Sequence, residues 1–493
     1  MKKINSLAFF GTGSDVGKSV VAAAVCRCLS DRTIKAAPFK AQNMSNNSGI
    51  TPQGLEMGRA QIVQAEAARI PPHTDMNPIL LKPTADNSSQ VVVNGRVYED
   101  LSAADYHERN KYFFEEACAA YDRLAARHET IVIEGAGSCA EVNLIERDIV
   151  NFRMAEYANA DVVLVADIHK GGVFAQIIGT LACLPKKYQR MVKGFVINRF
   201  RGDPELFTEG VRWIEHKTEK PVFGVLPWFS HFRLDAEDSV EIEKNTSIQS
   251  LDPDKPAIGV IRLPRISNFT DIHSLSEIEG IQVAYVDRPL DLSLFKAVIL
   301  PGSKSTRADM EWLEQSGLSD SIKKYAETGG HVLGICGGYQ MLGRLIRDDQ
   351  GVEGRPGCIQ GLGLLNIETG MCDEKTTTLS SFSWDGVHGE GYEIHMGETR
   401  IEEPVHWFCV HQRNGRETDS LDGCVSSDGK VAGTYIHGLF DTPAILDKWL
   451  SRIGISEGLI CKKEGRIGRD QTYTLLKEHF EESIDVSRLL ENV

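Results

Sequence analysis

Twice in this chain a short apolar run empties into a turn bounded by glycines and then into a segment with helical character. The first is Phe10-Gly11-Thr12-Gly13-Ser14-Asp15-Val16-Gly17-Lys18-Ser19, and the second is Val332-Leu333-Gly334-Ile335-Cys336-Gly337-Gly338-Tyr339-Gln340. A strand that hands over to a helix through such a turn is the joint of a parallel α/β sheet, whose ligands gather at the carboxyl ends of its strands. Two joints so far apart ask for two sheets. The first is suited to hold phosphates and the second to expose a thiol.

The pattern around them agrees. Strands are predicted at Leu7–Phe10, Ile34–Phe39, Thr130–Ile133, Val162–Ala166, Gly194–Ile197 and Val222–Val225, each ending in turn-forming residues. A second series is predicted at Ala257–Ile261, Val283–Val286, Ala297–Leu300, Val332–Ile335 and Gly433–Ile436. Between them, Leu234–Pro256 holds seven acidic residues against two lysines and reads as a linker. The expectation is an α/β chain of two doubly wound, mostly parallel-sheet domains. Residues 1–233 form the first, 234–256 the linker, 257–450 the second, and 451–493 a helical tail. A length of 493 residues fits two or three cores.

Composition narrows the function. A net charge of −15 argues against a nucleic-acid surface, and no apolar run has the length of a membrane helix. The start, Met1-Lys2-Lys3, is followed by no cleavable apolar segment, and the eleven cysteines are scattered, so a cytoplasmic enzyme is expected. Cys26 and Cys28 form a C-x-C pair on the first helix. With no second pair nearby, they read as core.

In the first turn, successive backbone N–H groups and the helix beginning near Gly17 are suited to an anion. Gly13 and Gly17 shape the loop, Lys18 would reach the β- and γ-phosphates, and Ser19 a magnesium ion. Thr12 stands where the common phosphate loop has its first glycine, with Gly11 and Gly13 on either side.

Gly-Thr-x-x-x-Val-Gly-Lys-Ser resembles the dethiobiotin synthetase branch of phosphate-loop enzymes. That resemblance implies ATP and Mg²⁺. It also implies site roles: Glu134, in Ile133-Glu134-Gly135-Ala136-Gly137, as a magnesium ligand, Lys40 as a second phosphate lysine, Asn198 at the adenine edge, and Glu56 as a further magnesium ligand. Five further stretches resemble the cobyric acid synthase family along essentially the whole chain. They are Pro38–Asn47, Glu56–Gln61, Met76–Pro83, Glu141–Leu144 and Asn198–Asp203.

The second turn, Gly334-x-Cys336-x-Gly338, has the form of a nucleophile elbow. It resembles the class I glutamine amidotransferases, in which a cysteine attacks the glutamine amide and releases ammonia. His437, ending Gly433-Thr434-Tyr435-Ile436-His437, is the expected base, with His395 as second candidate. The backbone N–H groups of Gly302 and Gly337 are expected to form the oxyanion hole. One departure stands out: the usual glutamate two residues past the histidine is Leu439, so a third member is absent or comes from elsewhere.

Together these resemblances imply an ATP- and glutamine-dependent amidoligase. Its corrinoid substrate would be adenosylcobyrinic acid a,c-diamide, amidated at b, d, e and g. Two alternatives stay open: cobyrinic acid a,c-diamide synthase, and a non-catalytic, partitioning-type nucleotide switch with a decayed amidotransferase domain.

Overall fold

A computed structural model describes residues 5–85, 88–229, 248, 251–402, 405–455 and 465–491. Six strands build the first sheet: β1 (Asn5–Gly11), β2 (Ala36–Phe39), β3 (Thr130–Glu134), β4 (Asp161–Asp167), β5 (Val192–Phe200) and β6 (Val222–Pro227). They run parallel in the order β6-β5-β4-β1-β3-β2. Alternate residues feed two cores. Ala8, Phe10, Ile131, Ile133 and Leu164 face one layer, while Leu7, Phe9, Val132, Val163 and Val165 face the other. That is why these strands read as unbroken apolar runs.

Helix α1 (Lys18–Asp31) follows β1, and its residues from Val21 to Leu29 are buried. An exposed helix would show a polar face. This one is also covered from outside by a late helix, Gly465–Ser483, which contributes Tyr473, Leu476 and Phe480 to the same core. Arg27 of α1, fully buried, pairs with Asp470 at 2.7 Å, and Tyr473 hydrogen-bonds Glu66 at 2.6 Å. The expected tail is thus part of the N-terminal layer. The expected linker lies outside the described residues apart from 248 and 251–256. Cys26 and Cys28 sit inside the α1 core, where burial pushes both thiols up, Cys28 to about 12.

The second sheet begins as expected. Strands β7 (Ala257–Ile261), β8 (Gln282–Val286), β9 (Ala297–Leu300) and β10 (His331–Ile335) run parallel in the order β8-β7-β9-β10. It then goes beyond the expectation. Two long hairpins, β11 (Ile367–Trp384) with β12 (Val387–Ile401) and β13 (His406–Arg413) with β14 (Arg416–Val425), extend it in antiparallel fashion. Strand β15 (Val431–Thr434) is parallel to β10 and antiparallel to β14, and so joins the two halves. A smaller mixed sheet, Gln42–Met44, Ile79–Ala85, Ser88–Val93 and Arg96–Ser102, stands beside the first domain. Among the described residues no helix is long and apolar enough to cross a membrane.

Candidate active sites

The phosphate loop leaves β1 with Thr12 N–H bonded to the Val165 carbonyl and enters α1 through Gly17 at φ 97°. A side chain at Gly17 would strike Asn198, whose Nδ2 stands 1.9 Å from where a Cβ would lie, so glycine is required on two counts. Lys18 Nζ donates to the carbonyls of Gly13 and Gly137, at 3.2 and 3.0 Å. Its ammonium therefore lies over the loop.

Beneath it, β3 delivers Glu134, fully buried. The Ser19 hydroxyl donates to its Oε1 at 2.7 Å and Lys40 lies 3.1 Å away, while Gln61 and Gln64 donate to Oε2. Burial alone would push this carboxyl up. Lys40, with the Ser19 hydroxyl and the Gln64 amide, more than offsets burial and holds it below the usual carboxylate range. The Gln64 Oε1 is buried with no hydrogen-bond partner. Ser19 Oγ, Glu134 and Gln64 Oε1 are all oxygens, the donor type magnesium takes together with phosphates. Among the described residues no group of three or more His, Cys, Asp or Glu forms a metal site, so any such ion depends on the ligand's own oxygens.

Two of the expected residues have protein partners of their own. Asn198 Nδ2 donates to the Val16 carbonyl at 2.9 Å and its Oδ1 accepts the Arg199 N–H. With both ends of the amide engaged, Asn198 braces the loop from behind. Its neighbour Arg199 helps, bridging Asp15 at 2.8 Å and Asp167 at 2.9 Å. Glu56 is not among the groups around Glu134. Buried, it is clasped by Lys82 and Lys375, each at 2.6 Å, and these ammonium groups overcome its burial and keep it ionised. Lys375 comes from β11, so Glu56 is a joint between domains.

In the second domain, Cys336 follows β10 at φ 53°, ψ −107°, a conformation that stores about 1–3 kcal/mol. The next turn, Gly337–Leu342, packs close beneath: a Cβ on Gly338 would lie 2.0 Å from the Leu300 carbonyl. The thiol donates to the Ile394 carbonyl at 3.4 Å and is close enough to His437 for its charge to favour the imidazolium. Gly302 and Gly337 flank the same spot. A Cβ on Gly302 would lie 3.2 Å from His437 Cε1, and one on Gly337 2.8 Å from the Ser303 nitrogen.

The missing partner of His437 is Asp271. Its Oδ2 meets His437 Nδ1 at 2.7 Å and its Oδ1 accepts the Gly438 N–H at 2.8 Å, both groups being buried. Burial opposes the imidazolium, but Asp271 and Cys336 outweigh it and raise His437 to about 10. Tyr392 stacks on the ring with centroids 5.2 Å apart. His395 lies apart from this set. Its Nδ1 is spent on the Gly397 carbonyl at 2.8 Å, its ring stacks on Tyr435, and it forms part of the wall of the cavity beside Cys336.

That cavity, about 380 Å³, runs from Cys336 and Gln340 to Lys82, Lys304 and Lys375 at the domain junction. Its size suits an amino-acid ligand. Burial pulls Lys304 down to about 8 and Lys375 to about 7, the latter despite the counter-pull of Glu56.

Sequence reasoning missed Asp271, Gln64 and the bracing role of Arg199. Gln61 and Gln64 stand three apart on the helix Arg59–Ala67, so their shared face was readable. Asp271 lies in the loop after β7, at the carboxyl end of a parallel strand, where site residues gather.

Comparison with known proteins agrees with this division. The CobQ/CobB/MinD/ParA nucleotide binding domain matches residues 7–242, and the CobB/CobQ-like glutamine amidotransferase domain matches residues 257–445. The cobyric acid synthases of Chlorobaculum tepidum and Chlorobium chlorochromatii are each 48% identical to this chain, covering 99% of it and 97% of their own length. That of Syntrophobacter fumaroxidans is 43% identical, with 98% and 97% covered. With a nucleotide-binding half, a glutamine amidotransferase half and relatives that match from end to end, the chain belongs to the cobyric acid synthase family of glutamine-dependent amidoligases.

Proposed function

We propose that the chain amidates the b, d, e and g carboxylates of adenosylcobyrinic acid a,c-diamide, giving adenosylcobyric acid, with glutamine as nitrogen donor and Mg-ATP as the source of activation. The observation that carries this reading is a Cys336–His437–Asp271 set beside a cavity that extends to the nucleotide-binding domain.

In the C-terminal site the Cys336 sulfur attacks the glutamine side-chain carbonyl, and the thiol proton passes to His437 Nε2. Asp271 holds the ring by Nδ1–H and balances the imidazolium. The backbone N–H groups of Gly302 and Gly337 stabilise the oxyanion. His437 returns the proton to the leaving nitrogen, ammonia departs, and water cleaves the thioester to glutamate.

In the N-terminal site, bound Mg-ATP supplies the phosphoryl group that converts a substrate carboxylate to an acyl phosphate, from which ammonia displaces phosphate. The loop's N–H groups, Lys18 and Lys40 position and neutralise the phosphates, and Ser19, Glu134 and Gln64 would hold the metal. The described cysteines are free thiols, in keeping with a reducing compartment such as the cytoplasm.

Mass spectrometry of the corrinoid after incubation with ATP, magnesium and glutamine tests the reading. Four successive carboxylate-to-amide changes on the a,c-diamide are expected. Conversion of cobyrinic acid to its a,c-diamide alone would favour the other synthase of the pathway, and no conversion of either would overturn the reading.

A further inference from the structure

Asn268 joins the two sites. It lies between β7 and Asp271 in the left-handed region, at φ 48°, and is buried. Its Oδ1 accepts the Ser48 backbone N–H at 3.1 Å, and its own N–H donates to the Asn46 carbonyl at 3.4 Å. Because a backbone N–H can only donate, the Ser48 contact fixes which end of the Asn268 amide is oxygen. The other end, the NH₂ group, therefore faces His437 Nε2, 3.2 Å away. With Asp271 accepting the Nδ1–H, an NH₂ group facing Nε2 can hydrogen-bond it only when Nε2 carries the lone pair of a neutral ring, so this amide orientation works against the pull of Asp271 and Cys336 toward the imidazolium. That lone pair is the one the Cys336 proton must reach.

Ser48 and Asn46 belong to the N-terminal site's own loop. Thr270, beside Asp271, donates to Asn47 Oδ1 at 3.2 Å, and the Asn47 carbonyl accepts the Arg59 N–H that opens the helix of Gln61 and Gln64. Asn43, at the head of the loop, donates to Gln61 Oε1 at 3.1 Å, and Gln61 in turn reaches Glu134. Hydrogen bonds therefore run from Glu134 through Gln61 to Asn43, and from Asn46 and Ser48 through Asn268 to the catalytic histidine, with the chain from Asn43 to Asn46 joining the two ends.

We propose that Asn268 is a positioning residue which ties the charge state of His437 to the place of the 45–48 loop. While Ser48 holds Oδ1, the amide NH₂ points at Nε2, favours the neutral ring and opposes proton transfer from Cys336. A loop shift on filling the N-terminal site frees Oδ1 to turn and accept from the imidazolium, so glutamine is opened when an acceptor is in place. The charged and titratable groups around His437 divide accordingly. Asp271 and Cys336 favour its protonation, Tyr392 stacks on it, and the Asn268 amide changes sign with orientation. The inference rests on the amidoligase reading for the identity of the acceptor.

The test is the rate at which iodoacetamide alkylates Cys336 near pH 7, followed by peptide mass spectrometry, which needs no amidation to be seen. Wild type should be slow alone and about fivefold or more faster with Mg-ATP and the corrinoid, the lower end of ordinary site coupling. Asn268→Ala should be fast without ligands and gain little from them. Asn268→Asp keeps an oxygen for Ser48 and sets a second against Nε2, and should do the same. Rates and ligand responses like wild type in both variants would overturn the proposal, as would slower alkylation in both. Fast variants beside a wild type that ignores the corrinoid would support the brake while contradicting the assignment of the acceptor.

Discussion

Each domain buries one carboxylate at its reactive centre, and the two are used in opposite ways. Glu134 is surrounded by Ser19, Lys40, Gln61 and Gln64, with Lys18 just above. Its four donors match the lone pairs one carboxylate offers, and one buried acceptor, Gln64 Oε1, has no partner. The site gathers its charges for a polyanion and a cation that arrive together. Asp271 instead meets one ring nitrogen and one backbone N–H and leaves nothing over. The first site is organised around a ligand's charge and the second around a single proton. A change that removes charge should therefore stop the first site outright, while one that misplaces a proton should slow the second by degrees.

The largest effect is expected at Lys18. In Lys18→Ala, amidation with either glutamine or ammonium should fall below detection while glutaminase activity persists, since Lys18 has no contact with the thiol chemistry. Ammonium-supported turnover near wild type would mean that the loop does not bind the transferred phosphate.

His437→Ala should slow glutamine hydrolysis by ~10²–10⁴, as for a lost general base, with ammonium-supported amidation intact. His395→Ala, measured alongside, should be far milder. The reverse order would break the assignment of the base. Asp271→Asn should fall between them and shift the pH profile. The carboxylate raises His437, to about 10 in the native site. Without it the imidazolium is lost at lower pH, so the alkaline limb of the glutaminase profile should move toward acid. An alkaline limb that stays in place would detach Asp271 from the ring's charge.

The smallest effect concerns Asp422, which accepts from Thr434 and Tyr435 beneath the strand that carries His437. Burial, and then Glu393, raise this carboxyl to about 6. Its folded value lies above the unfolded one of ~3.9. The stabilisation it gives is thus complete below about pH 4 and lost as pH rises through about 6. Asp422→Asn should gain relative to wild type over that window, by about 1 kcal/mol or ~2–4 °C in Tm at pH 7. A Tm difference that does not vary with pH would contradict it.

How much of this the sequence disclosed depends on whether a site is made of neighbours. Gly13, Gly17, Lys18 and Ser19 share one turn, and Cys336 with Gly337 another, so a strand–turn–helix reading was enough to find them. Asp271 reaches His437 from 166 residues away, across two separate loops, and no local spacing connects them. The same holds for Glu56. The resemblance to the dethiobiotin enzymes implies a magnesium ligand there, and only the fold shows Lys375 arriving from β11 to pair with it. The antiparallel extension was more legible than our strand reading allowed. Asn94-Gly95, Asp385-Gly386 and Asn414-Gly415 all adopt positive φ at both positions and close hairpins, as such pairs do between β-branched runs. The covering of α1 by the late helix could be suspected from its apolar circumference, since a helix buried all round must be covered on both sides.

The central claim is that nitrogen is released at one site and used at another. The direct measurement is ¹⁵N incorporation into the corrinoid by folded Cys336→Ala, given amide-labelled glutamine in one reaction and labelled ammonium in a second, each with ATP and magnesium. No label from glutamine and full amidation from ammonium is the predicted result. Loss of both, in a protein that still binds nucleotide, would contradict the account.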